Sequence, residues 1–292
     1  MISVVLVTFN SMDVLPDCLD SLERCSSAKD LEIIIVDNAS TDSTADWSEQ
    51  YAARRKELPY RNIQVLTMSE NRGYAYASNR GLEVAGGEFL LLLNPDTLVG
   101  ELAVERCRQS LMHDSSMGAV GCRLELADGT IDRACRRSFP TPWNSFARLS
   151  GLSLVFPRSR WLASYNLTFL DEFASYPVDC LCGAFLMVPR QVYESVGGLD
   201  EAFFMYGEDI DWCYRIKKSG YLIWYDGSVT TIHFKGGNGG KRSRESLRHF
   251  YDTMYLYYVK TLGNERESMG AIMLRLLLRM LFVLHAVAKR VS

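Results

Sequence analysis

The chain has 292 residues, 48% of them hydrophobic and 23% charged, with a formal net charge of −3. Those proportions suit a folded globular protein and exclude disorder, collagen and a multi-span membrane protein. The near balance of charge creates no field for nucleic acid, so any phosphate must be held locally.

Ile2–Phe9 is an apolar, β-branched run that reads as a buried strand. Val14, Leu15, Cys18, Leu19 and Leu22 then recur with the period of a helix face. Leu31–Asp37 is a second buried strand, and Ser40, Thr41 and Asp42 offer capping side chains to the helix after it. Ile63–Thr67, a helix from about Gly73, and Glu88–Leu93 continue the alternation. Strands apolar throughout imply an α/β fold with a mostly parallel sheet covered on both faces. Ligands of such sheets bind beyond the carboxyl ends of the strands. Those ends read Thr8-Phe9-Asn10, Asp37-Asn38 and Asn94-Pro95-Asp96, and Pro95 forces the chain out of the sheet. From about residue 117 the pattern loosens, with strands expected over Met117–Leu126, Val178–Val188, Tyr221–Tyr225 and Val229–His233. No linker or repeat interrupts it, so one continuous domain with an irregular second half is expected.

The eight cysteines include no Cys-x-x-Cys pair, which excludes a zinc ribbon or a thioredoxin-type motif. Cys180 and Cys182 share a face on a strand, but two thiols make no metal site. The first apolar run is too short for a signal sequence, so reduced thiols in a cytoplasmic chain are expected. Residues 271–290 have the hydropathy of a membrane span yet contain Arg275, Arg279, His285, Lys289 and Arg290. On a helix these five fall within an arc of roughly 140°. Met273, Leu277, Met280 and Leu284 lie opposite, and Leu278 and Phe282 interrupt the polar face. A charge at the centre of a span costs about 2.5–3.5 kcal/mol. A basic amphipathic helix in the membrane interface is therefore expected, with a packed terminal or dimer helix as the alternative.

Three places carry candidate chemistry. Asp96, just past the most apolar strand, suits a Mg²⁺ or Mn²⁺ ligand completed by substrate phosphates, or simply caps a helix near residues 97–99. Asp37 is open to the same two accounts, as an acceptor from a base or ribose or as a turn cap. Gly207-Glu208-Asp209-Ile210-Asp211-Trp212 opens a helix running to about Ser219. Acids in a first turn favour the helix dipole, but carboxylates this close also repel and suit a general base or a metal. In a helix Glu208 points away from Asp209, so one of the two faces a given ligand. His233 ends a strand and enters Phe234-Lys235-Gly236-Gly237-Asn238-Gly239-Gly240-Lys241, whose lysines are placed to close over a diphosphate. This is no Walker loop, and no Gly-x-Gly-x-x-Gly follows the first strand, which argues against a nicotinamide enzyme.

Taken together these residues resemble the inverting glycosyltransferases of family 2, which have the GT-A fold. The resemblance runs from Val4 to about Lys241. It rests on Val7–Asn10, Val36–Asp42, Glu70–Gly81, Leu93–Asp96, Gly183–Arg190 and Gly207–Arg215 in that order and spacing. Its pattern is most similar to the bacterial rhamnosyltransferase branch, which acts on lipid-linked oligosaccharides.

The resemblance implies a GT-A catalytic domain over 1–240, with a nucleotide-binding half to about 115 and an acceptor-binding half from 116. A C-terminal helical region, 241–292, would associate with the membrane. Thr8, Phe9, Asn10, Asp37 and Asn71 would line the nucleotide pocket, with the Gly73 end of the next helix facing a phosphate. Asn94 stands where the family often has an acid, and Asp96 would hold Mg²⁺ or Mn²⁺ with help from His233. Asp209 would be the catalytic base, with Glu208 beside it and Gly183, Ala184 and Trp212 on the acceptor side; core packing is the other account of Trp212. The expected donor is dTDP-rhamnose and the expected acceptor a polyprenyl-diphosphate-linked saccharide, handled at the inner face of the cell membrane. A UDP-sugar donor carrying galactofuranose, glucose or N-acetylglucosamine is the alternative. A nucleotidyltransferase is disfavoured because Asn10-Ser11-Met12-Asp13 replaces its Gly-rich, Arg-containing loop. A non-catalytic scaffold is disfavoured by the presence of both Asp96 and Asp209. A homo-oligomer is open.

Overall fold

A computed structural model describes residues 1–54, 57–235, 244–261 and 268–291, with the backbone alone at 284 and 286–291. Residues 236–241 of the expected Lys235–Lys241 loop lie outside the described residues, as do the side chains of Leu284, Lys289 and Arg290.

The first half alternates as its apolar runs dictate: β1 (Ile2–Thr8), α1 (Leu15–Glu23), β2 (Leu31–Asp37), α2 (Thr44–Ala53), β3 (Asn62–Thr67), α3 (Tyr74–Val84) and β4 (Phe89–Leu93). β3, β2, β1 and β4 lie side by side in that order, all parallel, and every residue of β1, β2 and β4 is buried. β5 (Thr97–Leu98) and α4 (Ala103–His113) follow. No helix forms over 97–99, because Thr97 and Leu98 pair instead with a later strand.

The second half comprises β6 (Met117–Glu125), β7 (Arg136–Arg137), α5 (Pro142–Leu149), α6 (Leu152–Val155), β8 (Tyr176–Val178), β9 (Cys180–Leu181), β10 (Phe185–Pro189), α7 (Arg190–Val196), α8 (Glu208–Lys218) and β11 (Leu222–His233). The sheet continues from β4 through β10, β6, β11 and β5, and here antiparallel and parallel pairs mix. The strand expected over Val178–Val188 is three short pieces, because the chain turns between Leu181 and Phe185. The two strands expected around Asp226 are one, β11, with an irregular register between Asp226 and Thr230. Asp226 absorbs that irregularity by accepting hydrogen bonds from Ser175 Oγ and from the Ser228 N–H and hydroxyl.

One apolar core runs from Ile2 to Tyr225 through both halves of the sheet. A smaller one joins α9 (Arg244–Thr261) to α10 (Met269–Val291) through Leu247, Tyr251 and Leu278. Leu278 and Phe282, the residues that interrupt the polar face of α10, pack against α9. All eight cysteines are free. No described helix is long and apolar enough to cross a membrane.

Candidate active site

The ends of β1 and β2 are joined by their own polar side chains. Thr8 Oγ1 donates to Asp37 Oδ1 at 3.1 Å, and Asp37 also accepts from the Ser40 N–H at 2.9 Å and the Ser40 hydroxyl at 2.5 Å. Asn10, at φ 50°, turns its Oδ1 back to the N–H of Thr41 at 2.7 Å. Asn38 Nδ2 donates to Asn71 Oδ1 at 2.9 Å, and the same oxygen accepts the Gly73 N–H at 3.0 Å. Phe9 is 48% exposed between these anchored neighbours. The side chains expected around a nucleotide thus form one rigid rim, with an aromatic ring left free to stack.

Pairing registers bring the rest together. β10 runs antiparallel to β4, and the Asn94 N–H donates to Ala184 O at 3.1 Å. That bond sets the Asn94–Asp96 segment beside Gly183 and Ala184. β11 pairs with β5 so that His233 lies opposite Thr97 and the Phe234 N–H donates to the Asp96 carbonyl at 2.9 Å. His233 Nε2 then stands 3.4 Å from Asp96 Oδ1, and its Nδ1 lies 3.0 Å from Asp132 Oδ2. Lys235 Nζ reaches the other Asp132 oxygen at 2.6 Å. Burial works against the imidazolium, but hydrogen bonds to Asp132 and Asp96 outweigh it and push His233 up to about 9. Burial likewise opposes charge on Asp132, yet its bonds with His233 and Lys235 hold that carboxyl well below the usual range.

This donor set fits a hard divalent cation. Asp96 Oδ1 and His233 Nε2 stand 3.4 Å apart, so an ion that displaces the Nε2 proton would touch both. Asp132 would fix the ring with Nε2 outward, as carboxylates behind metal-bound imidazoles do. Among the described residues no three metal-ligating side chains converge, which leaves room for the oxygens of a diphosphate.

The acid cluster opens α8 as its sequence suggests. Two consecutive left-handed residues, Tyr206 at φ 69° and Gly207 at φ 83°, turn the chain sharply into the helix. Asp209 Oδ2 lies 2.6 Å from Arg137 Nη2 and accepts the Gly183 N–H at 3.2 Å. Arg137 is itself buried and also donates to Leu181 O at 2.6 Å. Burial disfavours its charge, but the Asp209 carboxylate keeps it protonated well beyond an ordinary arginine. Glu208 is buried too, and its Oε2 meets no hydrogen-bond partner among the described residues. Burial first, and the neighbouring Asp209 second, raise Glu208 to about 8. Asp211 turns away from both, held by Arg215 at 2.8 Å and by Lys260 of α9 at 2.6 Å.

Trp212 does not join the acceptor side. It is fully buried, and its Nε1 donates to Gly197 O at 2.8 Å, so it is a core residue of α8. Arg137, Asp132 and Lys260 are the residues that motif reading missed. Arg137 sits in Cys135-Arg136-Arg137-Ser138-Phe139, which has neither helical nor strand periodicity; two adjacent arginines beside apolar residues were the only signal.

A parallel sheet with a polar rim at its strand ends, continued by mixed strands against which an acid-capped helix packs, is the GT-A architecture. The mannosyltransferase PcManGT of Pyrobaculum calidifontis, solved with GDP-Man and Mn²⁺, matches 96% of this chain and 69% of its own at a TM-score of 0.63 and 18% identity. GalNAc-T7, solved with UDP, GalNAc and Mn²⁺, matches 96% of this chain and 54% of its own at 0.63 and 14% identity. The chain belongs to glycosyl transferase family 2, which it matches over residues 3–197. An N-acetylglucosaminyl-diphospho-decaprenol L-rhamnosyltransferase of Mycobacterium tuberculosis is 29% identical over 269 residues, spanning 87% of this chain and 82% of the relative. A low-salt glycan biosynthesis hexosyltransferase, Agl10, of Haloferax volcanii is 26% identical over 238 residues, 80% of this chain and 66% of the relative.

Proposed function

We propose that this protein transfers L-rhamnose from dTDP-rhamnose to a polyprenyl-diphosphate-linked saccharide in cell-surface polysaccharide synthesis, with inversion at the transferred sugar. The observation that carries this reading is the Asn94–Ala184 hydrogen bond, which sets the Asp96–His233 pair and the Asp209–Arg137 pair at one end of the sheet. The name of the mycobacterial relative supports the choice of sugar and acceptor.

In this reading the rim of Thr8, Phe9, Asn10, Asp37 and Asn71 receives the nucleotide, Phe9 stacking on its base. Asp96 and His233, the latter on releasing its Nε2 proton, would hold a Mg²⁺ or Mn²⁺ ion, which when bound would neutralise charge on the departing diphosphate. Asp209 accepts the proton of the acceptor hydroxyl as that oxygen attacks the anomeric carbon from the face opposite the leaving group. The hydroxyl oxygen gains the bond to the sugar, and the electron pair of the broken bond leaves on the diphosphate. Arg137 and the Gly183 N–H fix the orientation of Asp209, and Glu208 lies against it as a neutral acid at pH 7. One base and no carboxylate nucleophile give a single displacement. The protein works at the cytoplasmic face of the membrane, where α10 lays its apolar side into the bilayer surface.

A thermal-shift panel of UDP, dTDP and GDP sugars with and without Mn²⁺ tests the donor site. At about a hundredfold excess over Kd a ligand adds about 2.7 kcal/mol, or about 5 °C for a chain this long. dTDP-rhamnose should give that shift only with Mn²⁺, and Asp96→Ala should abolish it. A shift from another sugar nucleotide alone would reassign the donor, and no shift from any of them would overturn the reading.

A further inference from the structure

Besides the Lys260–Asp211 contact, the α9–α10 pair carries a groove of about 450 Å³ between its two helices. Arg248 of α9 and Arg275 and Arg279 of α10 line this groove, with Asp252 as its one acid among the described residues. Asp252 lies 3.5 Å from Arg248, so it offsets at most one of the three guanidinium groups. The Arg275 guanidinium rests over the Tyr255 ring, 5.5 Å from its centroid, and Leu278 and Phe282 form an apolar floor. Cations above an aromatic and aliphatic floor suit an amphiphile with an anionic head.

The rest of α10 states where that head would come from. Ile272, Met273, Leu276, Leu277, Met280 and Val283 are all exposed on one face. At 100° per residue, Arg275 and Arg279 occupy the flank between that face and the one packed on α9. When the apolar face lies among acyl chains, this flank sits at the depth of the lipid phosphates. A second copy of the chain docking face to face about a two-fold axis would bring the same arginines together, which charge disfavours.

We propose that the groove between α9 and α10 binds the phosphate of an anionic phospholipid, held by Arg248, Arg275 and Arg279. This deepens the membrane reading above and rests on it. It makes surface binding selective for lipid charge as well as dependent on apolar contact.

Co-sedimentation of the full chain with phosphatidylcholine vesicles, and with vesicles containing phosphatidylglycerol, tests it. Wild type should partition at least tenfold more strongly onto the anionic vesicles. Arg275→Gln and Arg279→Gln should each weaken that binding about fivefold, Arg248→Gln should act in the same direction, and millimolar inorganic pyrophosphate should leave it unchanged. The proposal is overturned if the variants bind like wild type, or if wild type does not distinguish the two vesicles. It is equally overturned if pyrophosphate displaces the protein, which would mark a site for a soluble diphosphate, or if the chain dimerises and binds no vesicle. The donor-induced thermal shift should survive in all three variants. Absence of that shift in the wild type, together with anionic-vesicle binding that the arginine variants weaken, would sink the transferase reading and leave the groove standing.

Discussion

The two halves of the site are held by different forces. At the ends of β1 and β2 the side chains are joined by short-range hydrogen bonds between neighbouring loops: Thr8 to Asp37, Asn10 to Thr41, Asn38 to Asn71. On the other side the contacts are ion pairs that tie buried carboxylates to distant segments: Arg137 with Asp209, Asp132 with His233 and Lys235, Lys260 with Asp211. Hydrogen-bonded rims cost little to build and recognise a neutral surface. Buried charges are expensive to desolvate and hold only as complete sets, so the acid half must fail more abruptly when one member is lost.

The sharpest way to break this contrast is Asp209→Asn. Loss of a general base should lower kcat by about 10²–10⁴-fold with the donor thermal shift retained; a kcat within tenfold of wild type would remove Asp209 from the chemistry. Arg137→Ala leaves a carboxylate buried without its partner and should cost about 3–5 kcal/mol in denaturant unfolding. The Arg137→Ala/Asp209→Asn double variant should cost much less than the sum of the two. Additive costs would show that the pair is not coupled.

Glu208 sharpens the comparison through pH. Its carboxyl is raised to about 8 in the folded chain, against about 4.3 for an ordinary glutamate. Between those values the folded state holds a proton that the unfolded state has lost, so Glu208 makes stability fall as pH rises through this window, and His233, raised to about 9, adds its own fall above about pH 6.5. Glu208→Gln should flatten melting temperature between pH 5 and about 6.5 and leave only the His233 fall above it; an unchanged slope between pH 5 and about 6.5 would assign the pH dependence elsewhere. The smallest effect belongs to the rim. Thr8→Val removes one hydrogen bond to Asp37 and should cost about 1 kcal/mol, raising the donor KM several-fold while kcat stays within twofold. A large fall in kcat would place Thr8 in the chemistry rather than in binding.

The same contrast explains what the sequence could disclose. The parallel strands were legible because β1, β2 and β4 are apolar at every position and stop at polar residues. The rim residues and the acids of α8 were legible because they stand in short contiguous runs, at the polar ends of apolar strands or within one helix turn. Arg137 and Asp132 were not, since their partners lie 72 and 101 positions away and neither lies in a periodic run. Trp212 misled because an aromatic beside an acid cluster looks the same in sequence whether it lines a site or the core. Leu278 and Phe282 look like blemishes on a membrane helix until α9 is seen to cover them.

Gly73 shows how closely the two halves are joined. At φ 95° its backbone passes so near the acid loop that an added Cβ would lie 2.4 Å from the Phe204 carbonyl oxygen. That same oxygen accepts the Tyr74 N–H at 2.8 Å. The helix that begins beside the nucleotide rim and the turn that launches Glu208 and Asp209 therefore share a partition one peptide thick. The Tyr74 hydroxyl adds a second tie, to Gly183 O at 3.3 Å, so the rim helix bears at two points on the segments that carry and hold the acid cluster.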